Sequence, residues 1–254
     1  NTILATGGYP ANRQMMRELE PNALSCIAAD GYMPNNDGYG IRAAMWVGAQ
    51  KDIEAAPMIF DRGAILPGEA AGYTSDGDDA TFVSTYGDGG QCMLGSQPFM
   101  KVARTGRRFA NESTPYDFIC HAAGKQPDGV WAQIFDSNAA EDAIRFSTIG
   151  CSKIGLLYLT AGPIDQVMAS VIDRGFLIKA DTIEELADGL GFAGDEKAAF
   201  LDEVERYNTF YDNQVDEDFG KEPFRLSALR KPPYYGMWYG GTLLTTLDGL
   251  CINE

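Results

Sequence analysis

Histidine is nearly missing from this chain: of 254 residues only His121 is one, so multi-histidine catalysis and histidine-rich metal centres are excluded. Basic side chains are also in short supply. Twenty Lys and Arg stand against 36 Asp and Glu, a formal charge of −16, and a nucleic-acid-binding surface is not expected from that balance. No apolar run approaches the ~20 residues with which a helix spans a bilayer, and no basic stretch followed by an apolar one opens the chain. No membrane span is therefore read. The five cysteines, Cys26, Cys92, Cys120, Cys151 and Cys251, form neither a CxxC pair nor a zinc spacing. A disulfide framework is not expected, and they read as scattered structural thiols.

What is present describes a folded chain. Hydrophobic residues make up 45% and charged residues 22%, enough to bury a real core in one large domain or two modest ones. Glycine, 29 residues, runs at about 11% against the roughly 7% of average proteins and implies many tight turns. The opening Asn1-Thr2-Ile3-Leu4-Ala5-Thr6-Gly7-Gly8 reads as the last half of a buried strand entering a glycine turn. Near the other end, residues 242–253 read as two short strands around Asp248-Gly249. Both resemble severed connections to sheet, and the chain is expected to be a piece of a larger protein.

Between these ends Asn12 is placed to cap a helix through Leu19, and Gly38-Tyr39-Gly40 opens another through Ile41, Ala44 and Met45. That glycine-rich opening is either an ordinary turn or an anion site at a helix N-terminus. The Gly-Asp runs at 76–79 and 87–90 lack the 12-residue calcium pattern with its closing Glu and read as solvated loops. A β-hairpin is expected from Phe99 to Ala110, turning at Arg104-Thr105-Gly106, with Arg107 and Arg108 as a salt-bridged rim. A helix follows from Tyr116 to Ala123 and a strand from Val130 to Phe135. His121, one turn beyond Asp117, reads as a partly buried, hydrogen-bonded side chain. Thr182-Ile183-Glu184-Glu185 is a capping box for a helix ended by Gly189 and Gly191, and Asp195 is placed to cap a longer helix carrying Phe200, Leu201, Val204, Tyr207, Asn208 and Tyr211 on one face.

In series, five segments resemble the flavoprotein subunit of fumarate reductases and succinate dehydrogenases and their relatives. They are Ala5-Thr6-Gly7-Gly8-Tyr9, Asp37-Gly38-Tyr39-Gly40-Ile41-Arg42, Gly106-Arg107-Arg108-Phe109-Ala110-Asn111-Glu112, Leu190-Gly191 with Glu205-Arg206-Tyr207-Asn208, and Pro233-Tyr234-Tyr235. Residues Thr245 to Leu250 fall where that family has a Thr-x-Gly-Gly strand entry. The resemblance implies an α+β capping (substrate) domain over residues 54–243, with partial edges of an α/β FAD-binding domain at 1–53 and 244–254. It implies FAD as cofactor, held in part by Ala5, Thr6, Gly7, Gly8, Asp37, Gly38 and Gly40. The pyrophosphate-gripping Gly-x-Gly-x-x-Gly unit is expected outside this chain, in the remainder of the FAD-binding domain.

The implied chemistry is hydride transfer between flavin and a carbon–carbon bond beside an electron-withdrawing group, with an acid delivering a proton to the second carbon. Three departures from the fumarate reductase pattern bear on it. The proton-donating Arg position falls on Tyr116, and the two substrate-binding histidine positions fall near Ile59 and on Thr245, beside Thr246. Loss of those carboxylate anchors argues against fumarate or succinate and for a less polar pocket taking a larger organic substrate. Tyr116 is either an acid, since a phenol near pKa 10 donates a proton once its anion is stabilised, or a packing residue in a turn. An electron-transfer partner, whether haem, iron–sulfur subunit, quinone-linked chain or second flavin, is compatible with the resemblance. The competing reading is a binding or docking module that has lost flavin chemistry; a calcium-dependent adhesion domain rests only on the Gly-Asp loops.

Overall fold

A computed structural model describes residues 3–29, 35–72, 92–148 and 150–252. Along them run α1 (Arg13–Leu19), α2 (Pro21–Leu24), β1 (Ile27–Ala29), α3 (Tyr39–Trp46), β2 (Pro57–Ile65), β3 (Met100–Val102), α4 (Tyr116–Ala123), β4 (Trp131–Asp136), α5 (Ala139–Arg145) and α6 (Ser152–Thr160). Then come α7 (Ile164–Val167), α8 (Ala169–Asp173), β5 (Leu177–Ala180), α9 (Ile183–Leu190), α10 (Gly194–Asn213) and β6 (Tyr234–Thr246). The fold is α+β. The Gly-Asp runs between 76 and 90 lie outside the described residues.

Strand β6 organises the sheet. Its 13 residues are rich in aromatic and β-branched side chains, which suit a pleated surface covered on both faces. Along one edge it pairs antiparallel with β4 from Tyr234 to Tyr239 and then parallel with β1 at Gly241 and Thr242. Along the other it pairs antiparallel with β5 from Tyr234 to Met237 and with β2 from Trp238 to Thr246. β3 lies outside β4. Because side chains alternate across a strand, Tyr235, Met237 and Tyr239 join Trp131 and Phe135 in one core, while Trp238 joins Ala132 and Ile134 in the other. α9 and α10 cover the second face with Leu186, Leu190, Phe200 and Val204; Ile119 of α4, Ala143 of α5 and Leu159 of α6 belong to the first.

Several local expectations meet their reasons here. Asn12 caps α1 by accepting from the Met15 N–H at 3.0 Å, and α4 spans Tyr116–Ala123 as read. Thr182 Oγ1 accepts from the Glu185 N–H at 3.1 Å, but the Glu185 carboxylate reaches back to the Asp181 N–H, one residue short of a reciprocal box. Gly191 at φ +86° ends α9. α10 begins at Gly194 with Ala193 in the cap position, so Asp195 sits in the first turn, where its charge still favours the helix dipole.

Two expectations are corrected. The expected hairpin closes through one bridge, Val102 to Arg108, because β3 finds its main partner in β4. The two short closing strands are one continuous strand as far as Thr246, since β2 runs opposite it from Ile65 back to Pro57; Leu250 adds only an isolated bridge to Lys51.

Candidate functional site

Two places gather the side chains of interest, and β2 connects them. The first is an interlock of the glycine turns. Gly7 and Gly38 hold φ of +69° and +77°, a region that favours glycine. The Gly38 N–H donates to the Gly8 carbonyl at 3.1 Å, and Asp37 Oδ1 accepts from the Tyr39 N–H at 2.9 Å. A Cβ on Gly40 would stand 1.8 Å from Thr6 Oγ1, and one on Gly8 would stand 2.0 Å from Thr246 Oγ1. Residues 5–8, 37–40 and Thr246 are thus brought into one cluster. Ala5, Thr6 and Gly7 are exposed on it and line a cavity of about 410 Å³ with Ile41 and residues 248–252.

Behind that cavity the Tyr9 hydroxyl donates to Asp248 Oδ2 at 2.8 Å and lies 3.2 Å from Glu20 Oε1. Lys51 pairs with the same Asp248 carboxylate. Burial pushes the Glu20 carboxyl up to about 7, against the lowering influence of the Tyr9 hydrogen bond. The cluster yields a direct expectation. Thr246 Oγ1 also accepts the Tyr9 N–H at 3.1 Å, so Gly8→Ala should displace it and cost about 1–3 kcal/mol. Thr246→Ala opens the space to 3.4 Å, so urea denaturation should show a smaller penalty for Gly8→Ala in that background; equal penalties would mean the two do not interlock.

The second place surrounds Tyr116. This residue opens α4 directly after Pro115, and its ring meets Phe60 edge-on, centroids 4.7 Å apart at 86°. Phe60 lies three residues along β2 from Pro57, the partner of Thr246, so about 10 Å of strand separates the two places. Tyr116 lines a cavity of about 250 Å³ together with Asp61, Ser96, Glu112, Thr148, Cys151 and Arg225. Burial, then the neighbouring Cys151 and Asp117, raise its phenol above the usual value, so it is a protonated donor across the neutral range.

Beneath this cavity lies a buried charge network. Arg108 donates from Nε and Nη2 to Glu112 at 2.8 and 2.9 Å and from Nη1 and Nη2 to Asp216 at 2.9 and 2.8 Å. Lys221 stands 3.3 Å from Glu112. Burial opposes ionisation of Glu112, but the Lys221 and Arg108 charges outweigh it and hold the carboxyl at about 2. Lys101, donating to the Gln97 carbonyl at 2.6 Å and Gln133 Oε1 at 2.8 Å, is pulled down to about 8 by burial.

Some sequence-derived candidates stand elsewhere. Ile59 is fully buried in the core opposite Leu243, because the strand register turns it inward, and it lines neither cavity. Thr245 is half-buried opposite Met58, its hydroxyl donating to the Thr246 carbonyl at 3.3 Å. His121 is exposed rather than partly buried. Arg107 is the rim residue expected, paired with Asp202 and Glu203, whereas Arg108 is no rim at all. The cavity at Tyr116 is small, and its wall mixes Asp61, Glu112 and Arg225 with Pro98, Pro115 and the Tyr116 ring. Asp61 went unrecognised, although a carboxylate inside the apolar run from Ile59 to Ile65 is a signal. Among the described residues no group of three or more His, Cys, Asp or Glu is arranged to hold a metal ion, and no helix is long and apolar enough to cross a membrane.

No protein-family model matches the chain. Over 264 residues it is 27% identical to a vinyl phenol reductase of Lactiplantibacillus plantarum, covering 99% of this chain and 48% of that protein. It is likewise 27% identical over 266 residues to a 3-oxosteroid 1-dehydrogenase of Mycobacterium tuberculosis, covering 92% of this chain and 40% of that one. The chain therefore spans less than half the length of these relatives. Its fold matches the open conformation of a flavocytochrome c3 fumarate reductase with a TM-score of 0.62 and 22% identity, over 99% of this chain and 36% of that structure. In sequence and in fold, the relatives of this chain are the fumarate reductase-like flavoproteins, and it aligns with a part of each.

Proposed function

We propose that residues 54–243 form the capping region of an FAD-dependent oxidoreductase, flanked by edges of the FAD-binding domain at 1–53 and 244–254. The enzyme interconverts an activated carbon–carbon double bond and its saturated form in an organic substrate other than fumarate. One observation carries this reading: a phenol kept protonated, Tyr116, faces a cavity of about 250 Å³ that is walled in part by Asp61 of β2, the strand that leads to the glycine cluster.

Ala5, Thr6, Gly7, Gly8, Asp37, Gly38 and Gly40 would hold one edge of the flavin. The chain fits such a guest, since the exposed Ala5-Thr6-Gly7 backbone borders a cavity and Asp248, which also lines it, keeps the buried Oδ1 without a hydrogen-bond partner among the described residues. When bound, flavin gives or takes the hydride. The chain supplies the rest. Tyr116 gives or takes the proton at the carbon that does not exchange hydride. α4 and β2 supply Tyr116 and Asp61 to the cavity wall, and Thr246, packed on Gly8, holds the turn against which the cofactor would lie.

The test uses the full-length protein loaded with FAD. Oxidised-flavin absorbance should appear, vanish on chemical reduction, and return on adding 4-vinylphenol or another neutral conjugated alkene but not fumarate. A protein that takes up no flavin, or whose reduced flavin is reoxidised by none of these alkenes, overturns the proposal.

A further inference from the structure

Asp61 stands out among the side chains at the Tyr116 cavity. It is only 4% exposed, yet no lysine or arginine forms an ion pair with it among the described residues. Ser96 Oγ donates to Asp61 Oδ1 at 2.6 Å, and Arg62 Nε donates to the same Ser96 oxygen at 3.0 Å, so the cation reaches the carboxylate only through a hydroxyl. Its acidic neighbour Glu112 is in the opposite condition, saturated by Arg108, Lys221 and the Lys101 N–H at 3.2 Å. Of the cations among the described residues, Arg225 alone lines the cavity; its Nε and Nη1 donate to the carbonyls of Phe146 and Ser113 at 3.3 Å each, and Glu222 stands 3.9 Å away. Thr148 Oγ1, also lining the cavity, is buried without a hydrogen-bond partner among the described residues. A buried carboxylate with spare acceptor capacity favours a ligand that brings a donor and opposes one that brings another negative charge.

We infer that Asp61 selects the substrate: it receives the hydroxyl of a neutral, hydroxyl-bearing unsaturated molecule and turns carboxylate-bearing alkenes away. This rests on the flavin-dependent reading above and names the substrate class of the same site. The cavity of about 250 Å³ lies just below the roughly 300–1,000 Å³ typical of ligand pockets, and so suits a one-ring scaffold. Ser96 and Thr148 complete the polar side of that pocket, and Pro98, Pro115 and the Tyr116 ring form the apolar side.

Binding of 4-vinylphenol, styrene and acrylate to the flavin-loaded full-length protein, followed by calorimetry, tests the inference independently of turnover. A hydrogen bond to a charged group favours the phenol over styrene by about tenfold or more, with acrylate weakest. Asp61→Asn, close to isosteric, should erase most of the phenol preference and admit acrylate; Ser96→Ala should weaken phenol binding less. A phenol-to-styrene ratio unchanged within about twofold in Asp61→Asn, or acrylate binding as well as phenol in the unaltered protein, overturns it. The two readings fail separately. Asp61-dependent phenol binding without flavin reoxidation refutes the oxidoreductase and leaves the selectivity standing, whereas alkene reduction indifferent to the hydroxyl refutes only the selectivity.

Discussion

Replacing Tyr116 by phenylalanine in the full-length, flavin-loaded protein should slow turnover by about 10²–10⁴-fold, the range a positioned general acid contributes. The substitution is clean because the edge-on contact of the ring with Phe60, 4.7 Å between centroids, does not involve the hydroxyl. Flavin uptake and substrate binding should persist. An interaction made in the transition state lowers kcat and kcat/KM together, while a lost packing contact raises KM or lowers the melting temperature. The pH profile gives a second reading of the same role. The phenol is raised above its ordinary value, so its proton is in place throughout the neutral range and any alkaline limb it governs begins above pH 10. Stopped-flow reoxidation of reduced flavin by a neutral alkene measures the step, and a rate within about threefold of the unaltered enzyme would remove Tyr116 from the chemistry.

The second large effect is on stability. Arg108→Met should cost about 3–5 kcal/mol, because it takes the ion-pair partner from buried Asp216 and leaves Glu112 to Lys221 alone. Set against the roughly 5–15 kcal/mol that holds a domain together, that is a severe loss. Its neighbour is the control: Arg107, 44% exposed at its side chain and paired at the rim, should cost under about 1 kcal/mol when changed to Met. Acid titration separates the two further. Glu112 and Asp216 both sit at about 2 in the folded protein, below unfolded values near 4.3 and 3.9, so their contribution is present above about pH 4 and is lost as pH falls towards 2. Arg108→Met should flatten that dependence, since Asp216 loses the charge that holds it low while Glu112 keeps only Lys221. Urea denaturation between pH 3 and 7 reads both effects, and equal costs for the two arginines would contradict the buried network.

Which features could be read beforehand follows from how local their causes are. α4 is set by Pro115 at its start and by Ile119 and Ala123 on one face, all within a single turn or two. Thr182 and Gly191 bound α9 for equally local reasons. Arg108 could not be read in this way. The Arg107-Arg108 pair is ordinary on a hairpin rim, and what draws Arg108 inward is Asp216, more than a hundred positions later. Asp61 escaped notice because a cavity is made by several elements at once: Ser96 from the loop before β3, Thr148 after α5 and Arg225 before β6 meet it only in the folded chain. Ile59 is placed by a narrower cause: bulges between Met58 and Ile59 and between Phe60 and Gly63, which counting along the chain does not reveal, set the register that turns it into the core. The glycine cluster was readable because glycine itself is the signal; its locking partners Thr6 and Thr246 supply the cause.

The central position of β6 bears on how the molecule is made. It pairs with β1, β2, β4 and β5, yet all four precede it in the chain, and Ile27 must find Gly241 from the other end of the sequence. During synthesis at roughly 5–20 residues per second, these strands are therefore exposed before the strand that joins them has emerged. Such non-local closure is entropically slow, and unpaired apolar edges are the surfaces on which partly folded chains associate. The sheet completes only when β6 inserts, which makes that insertion the step where folding and aggregation compete.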